Sequence, residues 1–376
     1  EFVDRPRPEL DGAYAERCAS LSETDEVLLM YTSGSTGKPK GVLQTHQAII
    51  ENIRAELDYF GIDENGRLLL HFPINHVAAD VEIGYGAIMG GSTLVLVDRF
   101  EPQGSLEIIE SERITMVGQV PVMYLMQMQA PKFKEMDWSH VKYFVWGGAG
   151  APSLVLNMLR QIAAKTGAKL LTGYGSTELC GFVTYTSAED SAEQMERSVG
   201  RVVPPFEMKI VDDERNEVPQ GTLGELAFRG PCVMKGYLNN PKTTRDVLDA
   251  DGWYYTSDLG HVDKDGYIYL AGRSSEMYKT GGENVFPREI EEVLEGHPAV
   301  LFAAVMGVPD GLYQEVGHGF VMLKPGQDVD GESLRLHCKE HLTNFKVPKK
   351  FTIDRELPLL PNGKVNKIAL RATLEP

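Results

Sequence analysis

The chain has 376 residues, of which 42% are hydrophobic and 24% charged, enough to form the cores of two or three globular domains. Its formal net charge of −17 opposes long-range attraction to nucleic acid or anionic lipid, and its longest basic run is confined to residues 346–350. Four scattered cysteines without a C-x-x-C pair are typical of a reducing compartment. We therefore expect a cytoplasmic protein with no membrane span and no nucleic-acid partner.

The first predicted element is the apolar run Val27–Tyr31, which predicts a buried strand that leads into a loop of hydroxyls, glycines and lysines. Glycines let backbone N–H groups approach an anion, and lysines add positive charge. The loop is not a Walker A loop, because Thr32 stands where that motif needs its first glycine and Pro39 follows the lysine. A surface turn is the alternative, but the lysines favour a polyphosphate loop of another kind. Its candidate contacts are Thr32, Ser33, Gly34, Ser35, Thr36, Gly37, Lys38 and Lys40.

Strands and helices then alternate along the first half of the chain. Apolar runs predict strands at 67–72, 92–97, 116–120, 141–146 and 169–171. Helical patterns occupy 47–60, 104–112, 121–130 and 152–166. In residues 84–97 the glycines predict a turn before the strand. This alternation predicts an α/β architecture with a parallel sheet.

The sequence pattern changes after about residue 200, where short apolar runs and Asp-Gly turns predict a β-rich subdomain. Its clearest signal is a hairpin over 260–270, with Asp265 and Gly266 at the turn. A third region begins after Arg273 with another α/β pattern. It contains predicted helices at 287–296 and 332–343 and predicted strands at 299–306 and 316–323.

Two clusters follow predicted strands of the first region. Residues 147–150 are small, which suits either a flat ligand or a tight turn. Residues 172–178 bring together an aromatic ring, a hydroxyl and a carboxylate at Tyr174, Thr177 and Glu178. Such a group can stack on a base and bind Mg²⁺, but a polar loop with a packed tyrosine explains it equally well.

Three further clusters lie in the second half of the chain. Asp258 follows an aromatic run and could accept ribose hydroxyls or serve as a turn residue. A glycine-containing segment at 279–284 precedes Pro287, which is typical of a helix start. Asn362 and Gly363 predict a turn that displays Lys364, which would otherwise be a solvated surface charge.

Taken together, the order and spacing of these clusters resemble the adenylate-forming, AMP-binding superfamily, over about 27–370. The chain looks most like a stand-alone acyl-CoA synthetase. The resemblance implies an α/β core at 1–199, a β-rich subdomain of the same domain at 200–273 and a small mobile α+β domain at 274–376. Relatives carry a long segment before the phosphate loop, whereas only 30 residues precede Tyr31 here. We therefore expect the large domain to be N-terminally incomplete.

The resemblance also implies a role for each cluster. Thr32–Gly41 would hold the β- and γ-phosphates of ATP, Thr177 would meet the α-phosphate, and Glu178 would bind Mg²⁺. Asp258 would take the ribose hydroxyls with help from Arg273, and Lys364 would bridge the carboxylate and the α-phosphate. The expected adenine and nucleotide contacts are Gly147, Gly148, Ala149, Thr172, Gly173, Tyr174, Gly175 and Ser176. His76 would lie beside the acyl and thiol tunnels, and the coenzyme A path would include Lys279, Gly281 and Gly282.

The implied reaction has two steps, in which a carboxylic acid and MgATP give acyl-AMP and pyrophosphate, and coenzyme A then displaces AMP. A loader of a carrier protein, a luciferase-like oxygenase and a non-catalytic adenylate-binding protein remain alternatives. Amino-acid-activating relatives place an aspartate where Val77 stands, so amino acids are not expected. The candidates for the acid pocket, which suit an aryl or medium-chain acid, are Val77, Ala78, Ala79, Asp80, Ile83, Trp146, Gly181 and Val183.

Two features do not follow the resemblance simply. Ser275 stands where relatives usually have an Asp or Lys hinge, which leaves the balance between the two catalytic states open. His337–His341 spells H-x-x-E-H, a pattern of inverted zinc proteases. Because it falls within the expected small domain, we expect no zinc there. The resemblance leaves a homodimer open.

Overall fold

The computed structural model describes residues 11–32, 39–360 and 365–374. Within them, the strands are β1 (Glu26–Thr32), β2 (Lys40–Thr45), β3 (Arg67–Leu70), β4 (Thr93–Leu96), β5 (Met116–Gln119), β6 (Tyr143–Trp146), β7 (Lys169–Ser176), β8 (Gly181–Tyr185), β9 (Arg201–Val202), β10 (Glu207–Val211), β11 (Gly224–Arg229), β12 (Gly236–Tyr237), β13 (Tyr254–Val262), β14 (Ile268–Arg273), β15 (Tyr278–Thr280), β16 (Glu283–Val285), β17 (Val300–Asp310), β18 (Gln314–Leu323) and β19 (Lys350–Asp354).

The α-helices are α1 (Asp11–Ser20), α2 (His46–Phe60), α3 (Gly86–Gly90), α4 (Pro102–Ser111), α5 (Pro121–Gln129), α6 (Ser153–Thr166), α7 (Ala192–Arg197), α8 (Pro241–Val247), α9 (Pro287–Glu295), α10 (Gly331–His341) and α11 (Lys367–Ala372). Local sequence explains several of their ends. The Thr45 side chain accepts a hydrogen bond from Ala48 N at the start of α2, and Gly61 ends that helix with φ 62°. Pro287 begins α9, as predicted.

The largest sheet has the order β4-β3-β5-β6-β7-β8-β9, and its first five strands are parallel. Helices cover both faces. On one face Val117, Phe144 and Leu170 pack against side chains of α4, α5 and α6, whereas on the other Val145 and Leu171 pack with Phe60 of α2. Successive residues of these strands therefore pack into hydrophobic cores on opposite faces of the sheet, which confirms the predicted parallel α/β class.

Three smaller sheets complete the described chain. The order β10-β11-β13-β14 forms an antiparallel sheet in the predicted β-rich region, with Gly266 at φ 86° in its last turn. The small C-terminal region forms a five-stranded sheet that contains β15 to β19, packed against α9 and α10. The third sheet, β1-β2-β12, joins the first hairpin to the middle of the chain. The predicted domain boundaries stay predictions.

Three local predictions were wrong. The first strand forms, but Val27 is 42% and Tyr31 63% exposed, because alternate side chains of β1 lie on a face that the described residues do not cover. Residues 172–176 belong to β7 and pair with β8, although their glycines and hydroxyls favour a loop. Residues 78–90 form a π-helix followed by α3 where a turn was expected from residue 84. Among the described residues, no helix is both long and apolar enough to cross a membrane.

Candidate active site

A short turn that begins at Thr177 follows β7 at the carboxyl edge of the large sheet. The buried Gln44 of β2 donates a hydrogen bond from Nε2 to the Thr177 carbonyl oxygen (2.6 Å). The N–H of Met234 donates to the carbonyl oxygen of Glu178 (2.8 Å). The backbone of this turn is therefore held by two segments that are distant in sequence, one of which is a strand of the phosphate-loop hairpin.

The Glu178 carboxylate is held by a buried tyrosine. Tyr237 donates its hydroxyl hydrogen to Glu178 Oε1 (2.9 Å). Burial, and then the Glu178 charge, raise the pKa of Tyr237, so the phenol stays a donor. Lys40 Nζ lies 5.0 Å from the centroid of the Tyr237 ring, which is within the range of a cation–π contact. These contacts connect the end of the predicted phosphate loop to the predicted metal ligand.

A second group of site residues lies between β7 and the β13–β14 hairpin. Asp258 and Arg273 are cross-strand partners, and Arg273 Nε donates to Asp258 Oδ1 (2.9 Å). Tyr174 donates its hydroxyl hydrogen to Asp258 Oδ2 (2.5 Å). Burial and then Asp258 raise the pKa of Tyr174, and chiefly Asp258 raises that of Arg273. The structure thus brings Tyr174 into one hydrogen-bonded unit with Asp258 and Arg273 of the β13–β14 hairpin.

The small residues after β6 are positions of close approach. A Cβ atom at Gly147 would lie 2.4 Å from the Phe182 ring, and one at Gly150 would lie 2.2 Å from Arg288 Nη2. Gly148 has φ 76°, which favours glycine. Arg288 belongs to α9, so this loop also contacts the small C-terminal region. The tight-turn interpretation of the cluster therefore has a structural basis, and the adenine role remains a prediction for Gly147, Gly148 and Ala149.

The remaining residues of the Tyr174 cluster have structural contacts of their own. The Thr172 hydroxyl donates to the Trp146 carbonyl oxygen (2.8 Å). A Cβ atom at Gly173 or Gly175 would lie 2.1 or 2.0 Å from a β8 carbonyl oxygen, so both glycines allow the strands to approach. The Ser176 hydroxyl accepts a hydrogen bond from Leu179 N (3.3 Å) and caps the turn. Their predicted nucleotide contacts stay predictions.

His76 lies just before the π-helix over Ala78–Tyr85. Its Nδ1 accepts a hydrogen bond from Ala78 N (3.2 Å), and its ring lies 6.5 Å from that of Phe72 in a stacked orientation. Glu82 on the same π-helix accepts a hydrogen bond from Phe182 N of β8 (2.8 Å). This bond ties the segment after His76 to the strand that follows the Thr177 turn.

The predicted coenzyme A contacts lie on the β15–β16 hairpin. Gly281 and Gly282 form its turn with φ values of 60° and 90°, which explains both glycines. Lys279 N donates to Glu315 Oε2 (3.2 Å), and Gly281 N donates to the Tyr313 carbonyl oxygen (2.9 Å). These contacts hold the hairpin against β18 and the turn before it, within the small C-terminal region. Ser33, Gly34, Ser35, Thr36, Gly37, Lys38 and Lys364 lie outside the described residues.

Sequence reasoning missed Gln44, Tyr237 and Phe182. The sequence offers a weak signal for Gln44, because this polar residue follows Val42 by two positions and so lies on the same face of the strand. The structure buries both side chains fully, and a buried polar group needs a hydrogen-bond partner. Tyr237 and Phe182 carry no comparable signal in the sequence, and only the three-dimensional contacts reveal their part in the site.

Residues 4–238 match the model of the AMP-binding enzyme family, and residues 289–364 match that of the AMP-binding enzyme C-terminal domain. The chain belongs to the AMP-binding enzyme family. The predicted superfamily and its organisation as a large N-terminal and a small C-terminal domain are therefore confirmed.

Similar proteins include the feruloyl-CoA synthase of an Amycolatopsis species, which is 35% identical over 97% of this chain and 74% of its own length. The indoleacetate–CoA ligase of Aromatoleum aromaticum is 33% identical over 96% of this chain and 70% of its own. Among solved structures, ATP-bound MatB from Rhodopseudomonas palustris has a TM-score of 0.85 at 30% identity, over 94% of this chain and 69% of that one. These matches confirm the predicted enzyme class, an acyl-CoA synthetase.

The chain spans 66% to 74% of the lengths of the curated relatives that it matches.

Proposed function

We propose that this chain activates a carboxylic acid with ATP to give acyl-AMP and pyrophosphate, and that coenzyme A then displaces AMP to give the acyl-CoA. The observation that carries the proposal is the convergence of Tyr174, Asp258 and Arg273 beside the Thr177–Glu178 turn. Tyr174 lies 84 residues before Asp258 in the sequence, so this unit forms only in the folded chain. Beside this unit, Tyr237 contacts both the Glu178 carboxylate and the Lys40 ammonium group. An ion pair with a purely structural role would not require these additional contacts.

Asp258 is suited to hold the ribose. Each of its oxygens accepts one hydrogen bond, from Tyr174 or Arg273, and a carboxylate has about four acceptor positions. The remaining positions can accept the two ribose hydroxyls, while Arg273 and Tyr174 keep the carboxyl group oriented. Because Asp258 is only 8% exposed, water competes weakly for these positions.

The difficult part of the first step is the approach of a carboxylate to a triphosphate, because both are negatively charged. Thr177, held through its carbonyl by Gln44, would orient donors at the α-phosphate. Lys364 would bridge the attacking carboxylate and the α-phosphate as charge redistributes. Loss of one such donor costs about 3–4 kcal/mol of transition-state stabilisation. Lys38 and Lys40 would hold the outer phosphates, and His76 would border the acid and the incoming thiol.

Glu178 fits a magnesium ligand by chemistry and position. It offers carboxylate oxygens, and Tyr237 occupies only one of their acceptor positions. When bound, Mg²⁺ would neutralise phosphate charge and help the pyrophosphate to leave. Lys40 and Tyr237 would keep the Glu178 side chain directed toward the phosphate-loop hairpin.

We propose an aryl or medium-chain acid as the substrate and coenzyme A, with Lys279, Gly281 and Gly282 along its path, as the thiol. Val77 and Ala79 are buried at the start of the π-helix, and Val183 is fully buried on β8, so an apolar acid suits this neighbourhood. Relatives named for feruloyl and indoleacetate substrates support an aromatic acid.

The test is acid-dependent exchange between ATP and pyrophosphate, followed by a hydroxamate screen across aryl and alkyl acids. We expect exchange with at least one acid and acyl-CoA formation when coenzyme A is added. Lys364→Ala should lower exchange about a hundredfold or more and leave ATP affinity within about fivefold. Lys264→Ala, an exposed lysine of the β-rich region, is the control and should retain both. Tight AMP binding without exchange for any acid would support a non-catalytic adenylate-binding protein instead.

A further inference from the structure

We propose that His337, Glu340 and His341 form a binding site for a divalent transition metal such as Zn²⁺ on the small C-terminal region. All three residues lie on α10, at positions i, i+3 and i+4 of one helical face. Their candidate ligand atoms lie within 4.8 Å of one another. This proposal departs from the sequence-based expectation of no zinc, and it assigns a binding site rather than a protease.

The hydrogen bonds of the two imidazoles carry the proposal. His337 Nε2 lies 2.9 Å from the Val293 carbonyl oxygen, and His341 Nδ1 lies 2.9 Å from the His337 carbonyl oxygen. A carbonyl oxygen only accepts, so each of these ring nitrogens must carry the hydrogen. In the neutral rings, the lone pairs therefore lie on His337 Nδ1 and His341 Nε2. Metal-binding histidines typically donate their other N–H to a carbonyl or carboxylate in this way, which fixes the tautomer.

A third histidine nearby is excluded as a ligand by the same argument. The His297 ring lies 5.0 Å from the His337 ring, but its Nδ1 accepts a hydrogen bond from Ala299 N (3.1 Å). Its hydrogen is therefore on Nε2, the only other ring nitrogen. The site is accordingly two imidazole nitrogens and one carboxylate oxygen, with remaining positions open to water.

This donor set selects the kind of metal. Imidazole favours zinc, cobalt, nickel and copper, whereas Mg²⁺ prefers oxygen ligands alone. The α10 site should therefore take a transition metal in the presence of the Mg²⁺ that ATP requires. Because His337 also contacts Val293 of α9, bound metal would connect the last turn of α10 to that helix.

The experiment is calorimetric titration of the full chain with ZnCl₂ in excess MgCl₂, so that hard-cation sites are already occupied. We expect one Zn²⁺ per chain with micromolar affinity, and increased visible absorbance when Co²⁺ replaces Zn²⁺ as probe. His341→Ala and Glu340→Gln should each weaken Zn²⁺ binding at least about tenfold, because both side chains are exposed ligands whose removal leaves the core intact.

Lys339→Ala, an exposed position on the same helix, is the matched control and should bind Zn²⁺ as the unmodified chain does. His337→Ala is less informative, because it also removes the contact with α9. Failure of the unmodified chain to bind Zn²⁺ below millimolar concentration would overturn the proposal, as would unchanged binding by His341→Ala. Acid activation should be the same in all these variants, since none of these residues belongs to the adenylate site.

Discussion

Two acidic side chains contact the strands on either side of the Thr177 turn, and their surroundings differ. Asp258 contacts Tyr174 of β7 and is paired with the Arg273 guanidinium. Glu82 contacts Phe182 of β8 through a single backbone N–H (2.8 Å). The first carboxyl group has an opposite charge and a phenol donor, whereas the second has only a neutral donor.

The difference appears in the pKa of the second carboxyl group. Burial raises the pKa of Glu82 from 4.5 to about 7. Glu56 of α2 lies close by, and burial followed by the Glu82 charge raises its pKa well above the ordinary value. Tyr185 donates to Glu56 Oε1 (3.3 Å), which offsets only part of this cost. Charge is therefore balanced where we place the nucleotide, and largely removed by protonation on the other side of the turn.

Among changes to these acidic residues, replacement of Asp258 by Asn should have the largest effect. The amide has no charge to balance Arg273, and its NH₂ group would face a donor. The neutral amide would also hold the ribose hydroxyls less tightly than the carboxylate does. Hydrogen bonds to a charged acceptor contribute up to about 3 kcal/mol, so we expect the Kd for ATP to rise about a hundredfold. Equilibrium binding of a non-hydrolysable ATP analogue would measure this change.

The matched control is Asp190→Asn, because Asp190 also accepts a tyrosine hydroxyl, from Tyr267, but has no place in the proposed site. Its ATP affinity should remain within about twofold. An Asp258→Asn variant that binds ATP normally would contradict the ribose-binding role. Melting curves of both variants separate lost binding from lost folding.

Replacement of Glu82 by Gln should change the stability of the chain and its dependence on pH. A raised folded-state pKa means that the folded chain binds this proton more tightly than the unfolded chain. Stability is therefore lost as pH rises from about 4.5 to about 7, and the loss is complete above pH 7. At about 1.4 kcal/mol per pKa unit the loss is at most about 3–4 kcal/mol. We expect Glu82→Gln to gain about 2 kcal/mol in the free energy of unfolding at pH 8.

The gain should shrink below pH 7 and vanish near pH 4.5, which urea unfolding at several pH values would measure. The glutamine oxygen can still accept from Phe182 N, so the substitution keeps the hydrogen bond to β8. Glu64→Gln, at an exposed position, is the control and should leave the pH dependence unchanged. A destabilised Glu82→Gln variant at pH 8 would mean that the charged form is the favoured one.

The sequence predicts most of the large-sheet architecture, because its strands and helices follow clear periodicities. It predicts the site residues only through the order of several weak clusters, since Asp258 or Glu178 alone also suits a turn. It does not predict that residues 172–176 form strand, because close pairing with β8 requires the same glycines that favour a loop. The contacts of Gln44 and Tyr237 depend on chain segments that meet only after folding.

The smallest expected effect concerns Glu178. Its carboxylate accepts a hydrogen bond from the neutral phenol of Tyr237. Tyr237→Phe removes the hydrogen bond to Glu178 Oε1 but keeps the ring over which Lys40 lies. One such bond contributes about 1 kcal/mol, so acid-dependent exchange should fall about fivefold, with a higher Mg²⁺ requirement. Tyr255→Phe is matched, because Tyr255 donates to Asp249 Oδ2 (2.8 Å) outside the proposed site, and it should keep full exchange. Equal losses in both variants would show that the effect is on stability, and that Glu178 needs no orientation by Tyr237.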